Sequence, residues 1–143
     1  MLALITSIII VSGALSAAAQ TASSRPSPPP GAIRLPDGFR HERLQGIDSA
    51  VGRIAKEGGL DIHYDIGKLA GNYAGAIKGD DREWTVGQVV NGEPVEIVKS
   101  KSGLLTATFT KKFANFYAKV SGEEELATFL AIVLTYPAAP AAG

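Results

Sequence analysis

The chain has 143 residues, 14 Lys and Arg against 14 Asp and Glu, no cysteine and one tryptophan. Without cysteine it has no disulfide framework, no thiolate nucleophile or metal ligand, and no residue to carry a lipid at a processed N-terminus. Its balanced charge leaves no global electrostatic footprint for nucleic acid, and nothing in its composition calls for a cofactor.

Leu2–Val11 is an apolar run broken only by Thr6 and Ser7, and it leads to Ala17, Ala18 and Ala19. A stable bilayer span takes roughly 20 apolar residues. A shorter run before a small-x-small cleavage pattern reads as a secretory signal, here residues 1–19. No Lys or Arg precedes it, a departure from the usual positive start. The expectation is export to the periplasm or beyond, a mature N-terminus near Gln20 and no membrane span in the mature protein. Residues 20–32, with Pro28, Pro29 and Pro30, read as a Ser/Pro-rich linker. Residues 33–136 form a single domain, and residues 137–143 a low-complexity C-terminal tail.

Within the domain, Phe39–Leu44 is a weak strand signal and Asp48–Ile54 a stronger one, with Gly46 and Gly52 marking bends or close backbone approach. Leu60, Ile62, Tyr64 and Ile66 alternate with Asp61, His63 and Asp65, a strand with one buried and one wet face. Gly58 and Gly59 supply the turn before it. Residues 67–83 form a connection long enough to suggest a functional loop. Asn91-Gly92 between two β-compatible runs predicts a type I′ hairpin. Leu104–Phe109 and Ala114–Val120 are further strands. Gly122–Leu134 reads as a helix, with Ser121 and Glu124 spaced as a capping box. Leu126, Phe129, Leu130 and Val133 lie at amphipathic spacing, although Phe129–Thr135 is also compatible with a strand. The expected fold is α+β: a mostly antiparallel sheet of two hairpin units with one C-terminal amphipathic helix.

The segments Gly46-Ile47-Asp48-Ser49-x-x-Gly52-x-Ile54 and Gly59-Leu60-x-Ile62-x-Tyr64-Asp65-Ile66-Gly67 resemble a recurring pattern in small exported bacterial domains. The Asn91-Gly92 hairpin, Ala114-Asn115-Phe116-Tyr117-Ala118 and the acidic helix start fit the same pattern. The resemblance spans roughly Leu35 to Tyr136 and implies no activity. In element order alone the chain is similar to the Mog1/PsbP-like architecture, which implies a binding or assembly role rather than catalysis.

Four groups of residues could carry function. Asp61, His63 and Asp65 share one strand face, but the two carboxylates stand roughly 13 Å apart along it. They cannot both reach one ion, so His63 with one Asp would need a further ligand such as His41, and the expectation is a solvated face with no metal. Asp48 and Ser49 with His63 and Asp65 could form a small hydrolase site, but no nucleophile elbow surrounds Ser49, and nothing in the spacing of Asp48, Asp61 and Asp65 selects a glycosidase pair. Lys99, Lys101, Lys111, Lys112 and Lys119 could gather on one sheet edge, either as edge protection or as a patch for anionic lipid, lipopolysaccharide or an acidic partner. Phe113, Phe116 and Tyr117 beside them read as core and cross-strand packing. Arg53, Tyr64, Asp65, Asn72, Tyr73 and Trp84 could line a ligand pocket under the 67–83 loop. The leading expectation is a non-catalytic binding or assembly module of the bacterial envelope, contacting an envelope protein or an anionic envelope component. The alternatives are a small envelope hydrolase and an inhibitor presenting the 67–83 loop to a secreted enzyme.

Overall fold

The computed structural model describes residues 27–138; residues 1–26, including the expected signal segment, and residues 139–143 lie outside the described residues. Seven strands form one sheet: β1 (Phe39–Leu44), β2 (Ala50–Lys56), β3 (Asp61–Ile66), β4 (Arg82–Val90), β5 (Glu93–Ser100), β6 (Leu104–Phe109) and β7 (Ala114–Lys119). Their order in space is β1-β2-β3-β7-β6-β5-β4, and every neighbouring pair is antiparallel. Two meanders, β1–β3 and β4–β7, are therefore joined where β3 meets β7, with Tyr64 opposite Phe116 and Asp65 opposite Asn115. With its C-terminal helix α2 (Glu123–Val133) the domain is α+β.

Period-two alternation sends Ile54, Ile62, Phe116, Leu105 and Phe109 to one face, where all are fully buried. Helix α2 covers that face with Phe129, Ile132 and Val133, also fully buried, each contributing roughly 1.5–3 kcal/mol. The stripe Phe129, Ile132, Val133 and Tyr136 is itself an i, i+3, i+4, i+7 set. The Tyr136 ring meets Phe109 and Phe116 with centroids 4.9 and 5.1 Å away. The buried stripe is thus turned from the one expected: Ile132 is central, while Leu126 and Leu130 are partly buried at its margin. Residues 123–133 are a continuous helix, so no strand follows from Phe129.

The helix start also differs from the expected capping box. Gly122, in extended conformation, is the N-cap and offers no side-chain bond. The Glu125 carboxylate instead accepts the Ser121 N–H at 3.0 Å. Elsewhere the turn chemistry follows the residues: Asn91 and Gly92 have φ of 52° and 80°, as a type I′ hairpin requires.

Gly52 earns its place by what crosses it. A Cβ there would lie 2.3 Å from the Tyr64 hydroxyl, so only glycine lets Tyr64 reach across β2 to His41 on β1. The two rings stack at 5.7 Å and His41 Nε2 lies 2.7 Å from the Tyr64 hydroxyl. His41 Nδ1 sits 2.7 Å from the Ser27 carbonyl; a carbonyl only accepts, so Nδ1 carries the proton. Further along the N-terminal segment Ile33 is buried, and Gly31 accepts the Ala138 N–H at 2.8 Å. The stretch from Ser27 onward is packed on the domain.

Candidate functional site

To pass from β3 to β4 the chain must cross β7, β6 and β5. Residues 67–81 make that crossing on the face opposite α2, through the short helix α1 (Tyr73–Ala76). Polar side chains hold it there. Asn115, fully buried, accepts the Tyr73 N–H at 3.0 Å and the Thr108 hydroxyl at 2.8 Å. Its amide donates to the Gly71 carbonyl at 3.1 Å and the Asp65 carbonyl at 3.4 Å. The Thr108 oxygen accepts the Ala74 N–H at 3.0 Å. Arg82 donates to the carbonyls of Ile77 and Ala74 at 2.8 and 3.1 Å, and to Glu96 at 3.2 Å. These bonds seal the face over β5, β6 and the Asn115 end of β7.

Over β1, β2 and β3 the same face is uncovered. Cross-strand register aligns Glu42 with Arg53, Arg53 with His63, and His63 with Tyr117. Arg53 Nε stands 3.8 Å from Glu42 and 3.5 Å from Asp61, and His63 Nε2 is 3.4 Å from Asp61. These side chains are about two-fifths exposed, and ion pairs so wet add little stability. The His63 ring stacks on Tyr117 at 5.6 Å and 21°, and Tyr117 meets Tyr73 at 5.4 Å. Tyr73 in turn donates its hydroxyl to Asp65 at 2.6 Å. That bond, with help from burial and the Asp65 charge, pushes the Tyr73 hydroxyl up to about 12. Burial, then Asp65, raises Tyr117 as well. A cleft of about 670 Å³ opens beside the row, lined by Asp61, His63, Leu104, Tyr117, Lys119 and Glu125 among others. A second hollow of about 500 Å³ lies on the other side of Asp61, against Glu42 and Arg53. The arrangement offers charges of both signs and an aromatic row on a rigid sheet, suited to holding a polar ligand or chain segment.

The sequence-derived sets are only partly assembled. Arg53, Asp65 and Tyr73 share the open face. Tyr64 points to the opposite face, where it is buried beneath His41. Trp84 packs against the helix-side core from β4, and Asn72 caps α1 by accepting the Gly75 N–H at 2.8 Å. The expected pocket of all six is therefore divided by the sheet, because strand parity sends neighbours in sequence to opposite faces. His41 and His63 are separated in the same way, so His41 cannot complete a metal site with His63. Among the described residues no three His, Asp or Glu side chains converge to hold a metal. Ser49 lies in the β1–β2 turn, and His63 faces Arg53, four positions further along β2. Roughly 13 Å of strand separates Ser49 from the level of His63, so the hydrolase set of Asp48, Ser49, His63 and Asp65 is not brought together.

The lysines are split between two ends of the sheet. Lys99, Lys101 and Lys119 lie where β5 turns into β6, and Lys111 and Lys112 lie six residues away, where β6 turns into β7. Lys99 pairs with Glu83, Lys112 meets Glu93 at 3.5 Å, and Lys119 donates to the Ser102 carbonyl at 3.0 Å. They form no single patch. Of the aromatics read as packing, Phe116 is core, Tyr117 stands on the open face and Phe113 is 43% exposed. Tyr117 and Glu42 are the site residues that sequence reasoning missed. Parity within Ala114–Val120 separates Tyr117 from Phe116, but only the β3–β7 pairing places it beside His63.

No protein-family model, curated protein or solved structure matches the chain. What defines the protein is its fold and site: a seven-stranded antiparallel sheet backed by one helix, half sealed and half open on its second face. No helix among the described residues is long and apolar enough to cross a membrane.

Proposed function

We propose that this is an exported, non-catalytic binding or assembly module of the bacterial envelope, whose ligand or partner seats on the open half of the sheet. The observation that carries the reading is the row Arg53, His63, Tyr117 and Tyr73, drawn from four elements and bordered by an open cleft. In this reading the apolar stripe of the amphipathic helix stiffens the sheet from behind. The β1–β3 unit presents the site together with Tyr117 of β7 and Tyr73 of α1, and no cofactor takes part.

A photo-crosslinking side chain at His63, introduced in the producing cell, is expected to capture an envelope component. The same group at Gln88, on the far edge of the sheet, is expected to capture none. Equal capture from both positions would remove the open face as the site. A hydrolytic turnover abolished by His63→Ala in a folded protein would replace binding with catalysis.

A further inference from the structure

Three turns meet at one end of the sheet: the β1–β2 turn carrying Ile47, the segment after β3 carrying Leu69, and the β6–β7 turn carrying Phe113. β2, β3 and β7 are consecutive neighbours, with Ala50 opposite Ile66 and Ile66 opposite Ala114. At about 4.8 Å per strand, β2 and β7, the inner strands of the two flanking turns, stand only roughly 10 Å apart. The turns also touch. The Gly67 N–H donates to the Phe113 carbonyl at 2.9 Å, and a Cβ on Gly67 would fall 3.0 Å from Ser49 Cβ.

Ile47 is 98% exposed, Leu69 76% and Phe113 43%. Single exposed apolar side chains are ordinary. Three carried by adjoining turns at one end of a domain are a concentration of apolar exposure of the kind that marks contact surfaces. Exposed Lys68, Lys111 and Lys112 stand in the same turns. Acidic residues at this end are Asp48 and Glu93, the latter facing Lys112, with Asp65 one residue further in and hydrogen-bonded to Tyr73.

We propose that this end of the sheet docks on an anionic lipid surface, with the three apolar tips entering the headgroup boundary and the lysines meeting phosphates. Apolar side chains ringed by Lys are the combination that such an interface rewards, since burial and attraction to anionic headgroups act together. A soluble acidic protein would satisfy the lysines but gives no reason for Ile47 and Leu69 to stand so fully exposed in two adjoining turns. The surface is distinct from the open face and does not depend on it.

Co-sedimentation of the full-length chain with vesicles tests this. Phosphatidylcholine vesicles containing phosphatidylglycerol are expected to bring the protein down, less so as salt rises, and pure phosphatidylcholine vesicles to leave it in solution. The exposed pair Ile47→Ser with Leu69→Ser is expected to lower the partition by about tenfold or more, with an unchanged circular dichroism spectrum. Lys111→Glu with Lys112→Glu is expected to abolish the preference for anionic vesicles. Failure of the parent protein to bind overturns the proposal. So does binding that neither pair alters, because contact through Leu2–Val11 or any other surface would be indifferent to these substitutions.

Discussion

The two halves of the face opposite α2 belong to one continuous sheet and end in opposite conditions. Over β5, β6 and the start of β7, at Asn115, a crossing loop lies flat on the strands. Over β1, β2 and β3 nothing covers them, and the side chains there are Glu42, Arg53, Asp61 and His63. Both halves are polar, but polarity does different work in each. On the sealed half the polar atoms are few, uncharged where buried, and matched to backbone groups: Asn115 spends both its donor and its acceptor functions on loop and strand. On the open half charges face one another at 3.4 to 3.8 Å on side chains about two-fifths exposed, although the Asp61 oxygen that faces Arg53 and His63 is itself buried. Buried polar groups specify a structure because leaving one unsatisfied is costly. Exposed charges cost little to rearrange and are therefore free to meet a partner.

If that contrast is right, damage to the sealed half should be expensive and damage to the open half cheap. Asn115→Ala is expected to have the largest effect, about 3 kcal/mol, because it strands the Thr108 hydroxyl and the Tyr73 N–H in a buried site. The urea midpoint should fall, and amide exchange at Tyr73 and Ala74 should lose protection. A midpoint equal to the parent's would mean that the crossing loop is not held by this network.

Arg82→Ala removes two bonds to loop carbonyls, one to Glu96 and one to the Thr85 hydroxyl, at an expected cost of about 1–2 kcal/mol in the same measurement.

Tyr73→Phe stands at the boundary between the halves and should cost about 1 kcal/mol near neutral pH. Its pH dependence sharpens the comparison. The Tyr73 hydroxyl is raised from 10.0 to about 12 in the fold, so folding favours the protonated phenol. Its contribution is complete below pH 10 and is lost as pH rises towards 12. The stability gap between parent and Tyr73→Phe should be constant up to about pH 10 and narrow above it. A gap that persists unchanged at pH 12 would show that the Asp65 bond is not its source.

On the open half, His63→Ala and Arg53→Ala are each expected to change stability by less than about 0.5 kcal/mol. Ser121→Ala belongs with them, because the Ser121 hydroxyl makes no cap to the helix. A loss of 2 kcal/mol at His63 would erase the distinction between the two halves.

How much of this was legible beforehand depends on the range of the interaction. Strands were visible through alternation, as at Leu60–Ile66, and the β4–β5 hairpin through Asn91-Gly92, since both signals come from neighbouring residues. The phase of the helix was not. Periodicity shows that a stripe exists, while its exact members depend on Tyr136 landing between Phe109 and Phe116. Of the candidate site, alternation already sets Asp61, His63 and Asp65 on one wet face, whereas the sequence groups Arg53 and Tyr73 with Tyr64 and Trp84, which lie on the helix side of the sheet.

The sequence by itself determined the local elements, the wet side of β3 and the tightness of the hairpin, because those follow from backbone sterics and side-chain parity. Only the tertiary structure decided that β3 pairs with β7, a contact between strands about 50 residues apart. That pairing brings Tyr117 to His63 and Asn115 to Asp65, and it obliges residues 67–81 to cross three strands. Long-range pairing is chosen by the burial of the whole core rather than by any one segment. No short stretch of this chain therefore announces which half of the face will be closed and which left open.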